Sequence, residues 1–330
     1  MSCRERCGAL VPSRHTLVSL ALGQLLSVFI TGTGVTSSLL AARGVALSST
    51  QSCLNYFLLL GFLGLFVWRE RWRGLRGVLR DRWWLYACLA VCDVEANFLV
   101  VLAYQYTSLS SVMLLDCFSI PCVMVLGRLL LGRRVTAWQL AGVLLCVGGV
   151  TALVLSDWLD ASFGQAAAAH ALVGDMLCLA SAVLYAVSNV GQESAVLQSS
   201  KTEYLALLAL FAAPLSLGQS AAVEHARWLA TDWSAAVVGL MAGFGVCLFC
   251  VYALVPVMLE RSGATFLNLS LLTSDVFAVV AGVFLFGYVP SVFYGIGAVL
   301  IVGGLIVYNI NCENKTPAVV AVVEGGDAAI

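Results

Sequence analysis

Apolar residues run along this chain in long unbroken blocks, not in the short alternations of a half-buried strand or the one-sided stripes of a soluble helix. Ten blocks can be marked, near 16–40, 51–68, 83–104, 109–127, 135–155, 170–190, 202–221, 234–257, 264–287 and 290–310. Each approaches or exceeds the roughly 20 residues a helix needs to cross a hydrocarbon core. Between them lie a short amino-terminal segment, an Arg-rich loop at 69–82, tight turns and a tail over 311–330. No soluble domain fits in that remainder. The pattern predicts an all-α membrane protein with ten transmembrane helices.

Composition agrees, with 61% hydrophobic and 11% charged residues. The charge pattern adds a direction. When loops are assigned alternately to two sides, Arg43 and Arg227 fall on one side, and the other 15 of the 17 Lys and Arg residues fall in segments sharing the opposite side. Cytoplasmic loops carry the Lys/Arg excess, so both termini are expected in the cytoplasm and the span count is expected to be even. The first block carries Gln24, Thr31, Thr33 and Thr36 and exceeds a signal-peptide core, so it is read as a retained span. Most of the 12 cysteines lie inside blocks, where a free thiol behaves as a small apolar group. Cys247-x-x-Cys250 has metal-ligand spacing but no neighbouring His, so no metal is expected there. Asn314-Lys315-Thr316 precedes Pro317 on the expected cytoplasmic side and is read as unmodified. The basic loop suits anionic lipid, and no nucleic acid is expected as a partner.

The blocks form two related sets. GRRVTAWQLAGVLLCVGGV at 132–150 and GYVPSVFYGIGAVLIVGGL at 287–305 align without gaps at an offset of 155. Gly142, Gly148 and Gly149 thereby meet Gly297, Gly303 and Gly304. Blocks four and five then correspond to nine and ten, predicting a five-plus-five repeat. Five is odd, so the second half would lie inverted, the architecture of secondary transporters. The expected division is 1–160 for the first repeat, 161–310 for the second and 311–330 for a cytoplasmic tail. The glycine pairs closing blocks five and ten, and Gly239-x-x-x-Gly243, predict close helix contacts.

Candidate chemistry lies in polar residues within the blocks. Asp93, Glu95 and Asn97 fall in the third, Asp116 in the fourth and Asp275 in the ninth, all near mid-depth; Asp175 and Glu193 lie towards the ends of the sixth. A charge at a helix centre costs about 2.5–3.5 kcal/mol on insertion scales, so such residues usually face a cavity. Helical spacing puts Asp93, Asn97 and Tyr104 on one stripe, with Glu95 pointing elsewhere. Further stripes are Cys178, Ser181, Tyr185, Ser188 and Gln192; Thr265, Asn268 and Asp275; and Gln24, Ser27, Thr31 and Ser38. Together they predict a shared water-accessible cavity, in which Tyr185 could stack on a planar solute. No block has an interior Lys or Arg, which disfavours a phosphate-bearing substrate. The acids favour a neutral or cationic organic solute, with protons as a candidate coupling ion.

The stretch DVEANFLVVLAYQYTSLSSVMLLDCFSIP at 93–121 resembles the signature of solute carrier family 35, subfamily F, in the drug/metabolite transporter superfamily. GDMLCLASAVLYAVSNV at 174–190 and SGATFLNLSLLTSDVFAVVAGVFLFGY at 262–288 resemble it as well. The resemblance implies a ten-helix alternating-access carrier without a cofactor. Its matching positions are Asp93, Glu95, Asn97, Gln105, Asp116, Asn189, Glu193, Asn268 and Asp275. The chain departs from the pattern at Leu102, where relatives place a basic residue, at Gln192, where they place Glu, and at Glu260, where they place Lys.

The leading expectation is therefore a secondary transporter of a small solute, with a nucleobase or nucleoside type as one candidate, and not an enzyme. A nucleotide-sugar exchanger or a non-transporting membrane protein of the same fold is the alternative. An intramembrane aspartyl protease would need Gly-x-Gly-Asp and Tyr-Asp contexts, which this chain lacks.

Overall fold

A computed structural model describes residues 14–131, 136–159, 164–287 and 292–310. Arg4, Arg6, Arg133, Arg134 and the 314–316 sequon lie outside these. Every regular element among the described residues is an α-helix. They are α1 (Arg14–Ala42), α2 (Ser48–Ala103), α3 (Leu109–Asp116), α4 (Ser119–Leu131), α5 (Ala137–Leu159), α6 (Gly164–Gln198), α7 (Lys201–Val223), α8 (His225–Ala230), α9 (Ala235–Phe286) and α10 (Val292–Ile310).

Within these, seven segments are long and apolar enough to cross a membrane: Leu17–Ala42, Ser48–Arg69, Gly74–Ala103, Leu109–Leu129, Ala169–Val196, Lys201–Val223 and Ala235–Met258. Three shorter apolar helices run over Ala137–Ala152, Thr273–Phe286 and Val292–Gly304. The outward faces of these three carry Leu144, Phe284 and Val299, all more than 60% exposed. Such a surface is tolerable only against lipid. Exposed Trp68, Trp83 and Trp84 near one end, and Trp228 and Trp233 near the other, are placed as interfacial aromatics. The chain is an integral, multi-pass membrane protein.

Two of the helices cannot be straight. The Tyr56 hydroxyl donates to Asp93 at 2.8 Å, yet the 37 residues between them would span roughly 55 Å of straight helix. Helix α2 therefore doubles back. Its helical geometry persists through the Arg-rich segment, which the sequence reading placed in a loop. Leu75 is buried there and Val78 and Leu79 pack on the core, while Arg76 and Arg80 are exposed. One-sided burial is what keeps that segment helical. Helix α9 reverses likewise, because neighbouring Thr31 and Gly32 of α1 meet its Ser274 and Cys247 respectively.

Packing is reciprocal about the 155-residue offset. Helix α1 lies on α9, and α6 lies on α2 and α3. Helices α5 and α10 run antiparallel against each other. A Cβ on Gly149 would come within 2.8 Å of the Gly297 carbonyl, and one on Gly304 within 2.6 Å of the Gly142 carbonyl. These two contacts exchange under the offset. The preceding glycines, Gly148 and Gly303, face open space, so only one member of each pair mediates the contact. The Gly239-x-x-x-Gly243 expectation is not met: Gly239 has nothing within 4 Å, and Gly243 makes an ordinary 3.5 Å contact with Thr36. The close approach in that helix is instead at Gly245, against Leu54.

Two contacts join turns that the alternating assignment groups together. Arg227 donates to the Ala46 carbonyl at 3.1 Å, joining the 43–47 and 224–234 turns. At the other end Tyr86, near Arg82, donates to Glu203 at 2.9 Å, which brings in the turn before Lys201.

Candidate functional site

Asp93 sits in the returning arm of α2 and is 4% exposed. Its Oδ2 accepts from Tyr252 at 2.6 Å and from Tyr56 at 2.8 Å, and its Oδ1 accepts from Ser188 at 3.4 Å. One turn on, Asn97 Nδ2 donates to both tyrosine oxygens at 3.0 Å and to the Asp93 carbonyl at 2.9 Å. The rings of Tyr56 and Tyr252 meet edge to face at 6.4 Å. Four helical segments thus converge on one carboxylate whose acceptor sites are filled by hydroxyls. Tyr185 lies within electrostatic reach of both Asp93 and Asp116.

The second cluster forms where a helix breaks. Span four stops helical pairing at Cys117 and Phe118 and resumes at Ser119. Pro121 has no N–H, so the Cys117 carbonyl instead takes the Ile120 N–H at 3.1 Å, a tighter turn. The sequence reading ran one unbroken helix through this point, although Pro121 was the visible signal of a break. The Cys117 thiol donates to Asp275 Oδ2 at 3.3 Å. Neighbouring Asp116 has a buried Oδ1 with no hydrogen-bond partner among the described residues. Tyr104 lies within electrostatic reach of both acids and presses its hydroxyl towards Gly34.

The expected residues therefore separate. Asp93 and Asn97 share the first cluster. Asp116, Asp275 and Tyr104 belong to the second. Glu95 does point elsewhere, accepting from Gln219 of α7 at 3.0 Å. Gln105 makes only a 3.5 Å contact with Ser48, and Asn189 is exposed. The Asn268 side chain lies outside those described. The stripes of α1 and α6 are spent largely on helix contacts. Thr31 donates to the Ser274 carbonyl, Ser181 to the Ala96 carbonyl and Cys178 to the Val112 carbonyl.

Sequence reasoning missed Tyr56, Tyr252, Cys117, Asn55 and Glu224. Asn55 is fully buried, and neither end of its amide has a partner among the described residues. Ser38 of α1 and Ser110 of α3 likewise bury unpartnered hydroxyls. Glu224, 1% exposed, accepts from the Ser49 and Thr50 N–H groups at 2.8 and 3.0 Å and from the Thr50 hydroxyl at 2.6 Å. It caps the start of α2, where orphan N–H groups and the helix dipole favour an anion. An acid beside a loop carries no sequence signal for that role.

Neither of two cavities among the described residues is lined by Asp93, Glu95, Asp116 or Asp275. One, about 360 Å³, is an apolar recess among Val150, Val154, Leu172 and Met176. The other, about 630 Å³, lies between the 43–47 and 227–237 segments. No group of His, Cys, Asp and Glu suited to hold a metal ion occurs among the described residues.

Comparison with known proteins gives consistent matches. The family model for solute carrier family 35 (SLC35F) matches residues 12–310. Solute carrier family 35 member F2 of Mus musculus is 38% identical over 305 residues, covering 92% of this chain and 80% of that protein. The Xenopus tropicalis protein of the same name is 36% identical, covering 90% of this chain and 77% of its own length. An uncharacterized solute carrier family 35 member, C320.08 of Schizosaccharomyces pombe, is 34% identical over 88% of this chain and 57% of its own length. A protein of known crystal structure aligns over 91% of this chain and 99% of its own, with TM-score 0.57 and 18% identity, a likeness of fold.

Proposed function

The chain belongs to solute carrier family 35, a family of membrane transporters, and from that premise we propose that it moves a small neutral or cationic organic solute by alternating access. The solute class we favour is planar, of nucleobase or nucleoside type. One observation carries this reading. Ser38, Asn55, Ser110 and Asp116, on three separate spans, bury polar atoms without partners among the described residues, while no Lys or Arg is among the buried residues. Each orphaned group costs about 1–3 kcal/mol unless water or a ligand meets it. A solute offering amide-like donors and acceptors would satisfy them, whereas a diphosphate would find no buried cation among the described residues.

The roles divide between the clusters. Tyr56 and Tyr252 hold Asp93 in place, while Tyr185, half-buried and within reach of both Asp93 and Asp116, offers aromatic surface to a planar ring. Asp116 and Asp275 flank a broken helix, the usual location of coupling-ion sites in transporters, and we assign them the proton. The three shorter apolar helices complete ten spans in two inverted halves, which the reciprocal Gly149 and Gly304 contacts support. Both termini then lie in the cytoplasm, on the Lys/Arg-rich side.

Uptake into proteoliposomes tests the reading. Labelled adenine, guanine, uridine and tetraethylammonium are compared with UDP-glucose and GDP-mannose, with and without an imposed pH gradient. The proposal requires uptake of at least one member of the first group, lost in Asp116→Asn and Asn55→Leu. Counterflow of the nucleotide sugars alone would replace it with the exchanger reading. Accumulation indifferent to the pH gradient would remove protons from the mechanism.

A further inference from the structure

The 630 Å³ cavity at the end opposite the Arg-rich segment gathers the two basic residues that the charge count isolates on that side. Arg43 follows α1 and Arg227 lies in α8, far apart in sequence, yet both line it together with Thr231, Asp232 and Ser234. Both guanidiniums are exposed. Each donates to a backbone carbonyl, Arg43 to Leu39 at 3.2 Å and Arg227 to Ala46 at 3.1 Å. Neither pairs with a carboxylate among the described residues, even though Asp232 shares the cavity.

The backbone around the cavity is mixed in sign, because α1 and α8 end there and α9 begins there. Carbonyls at the end of α1 are used up: Leu40 accepts from Arg43 and Val45, and Ala41 accepts from Gly44, whose φ of +73° closes the turn. Helix α9 begins at the cavity wall. Its cap Ser234 accepts the Val237 N–H, and the first amides of a helix carry the positive end of its dipole. Two arginines with spare donors against one carboxylate leave the exposed pocket lined by a net positive side-chain charge.

We propose that this cavity is an anion-binding vestibule, which takes a carboxylate- or phosphate-bearing group through Arg43 and Arg227, with Asp232 limiting its affinity. The anion could come from the aqueous phase or from a lipid headgroup. The proposal rests on this surface alone and stands whether or not the interior reading holds.

The test uses full-length protein in nanodiscs of phosphatidylcholine, titrated with citrate and with inorganic pyrophosphate against chloride at constant ionic strength. Thermal stability is the readout. Stabilisation by either anion, weakened about tenfold by Arg43→Gln or Arg227→Gln and retained in part by the Lys variants, supports a soluble anion. Stabilisation seen only on adding phosphatidylglycerol to the disc, with the same sensitivity to the arginine variants, supports a lipid headgroup. Asp232→Asn must move the other way, tightening binding about threefold through removal of a like charge. That opposite sign separates a binding site from mere misfolding of the arginine variants. Equal responses in wild type and the Arg43→Gln/Arg227→Gln double variant, or no tightening in Asp232→Asn, would overturn the proposal.

Discussion

Asp93 and Asp116 look alike in the sequence, each an acid within an apolar block and beside a Cys, yet the fold prepares them differently. Asp93 receives three hydroxyl donors from three other helical segments. Asp116 keeps a buried oxygen without a described partner, beside a break in its own helix. The first arrangement is a finished network that holds α2, α6 and α9 together. The second leaves capacity for something else. A buried acid in a span is thus no uniform sign of a binding group; whether its lone pairs are already occupied is what separates the two.

Substitutions can break that contrast. The largest effect is expected from Asp93→Leu, which strands the Tyr56 and Tyr252 hydroxyls in the interior. It should cost about 3–5 kcal/mol of stability, the range for removing one member of a buried charged network. Detergent-micelle melting curves would register it; a shift near zero would show that Asp93 is not the keystone described. Removing one donor is milder. Tyr56→Phe and Tyr252→Phe should each lose about 1.5–3 kcal/mol, as for single hydrogen bonds to a charged group. A double-mutant cycle with Asp93→Asn should show coupling rather than additivity.

The second cluster should respond in the opposite sense. Asp116→Asn is expected to change stability by less than about 1 kcal/mol, because no described donor is lost. Uptake should fall at least about tenfold, the equivalent of roughly 1.4 kcal/mol. Asn55→Leu sharpens the point further. Replacing an unpartnered buried amide by an apolar group of similar size should leave stability unchanged or slightly higher, while abolishing uptake. Retained uptake would reduce Asn55 to a buried curiosity of packing. Smallest of all is Cys117→Ala, expected to cost about 0.5–1 kcal/mol for one weak thiol bond to Asp275.

Much of the architecture can be read from the chain before any contact is known. Block length marks the seven segments long enough to cross because hydrocarbon thickness is fixed. The 155-residue offset already pairs Gly149 with Gly304, and the structure shows those two making exchanged contacts. Helical spacing also separates Glu95 from Asp93. It works less well for the stripes of α1 and α6, whose Thr31, Ser181 and Cys178 close onto neighbouring backbones. Within lipid, an unpaired hydroxyl readily takes a carbonyl of the next helix, so a polar stripe marks a helix contact as readily as a cavity.

The sequence by itself determined that this is a multi-pass helical membrane protein, because apolar length is a local property imposed by the bilayer. Its motifs at 93–121, 174–190 and 262–288 carried the resemblance to the solute carrier family. Tertiary structure alone decided which helix faces which. It put Tyr56 and Tyr252 on Asp93, left Asp116 and Asn55 open, drew Glu224 onto the start of α2 and brought Arg43 beside Arg227. Periodicity fixes the face a residue occupies on its own helix. The partner that face meets depends on how distant segments dock, and that geometry is written in no single stretch of the chain.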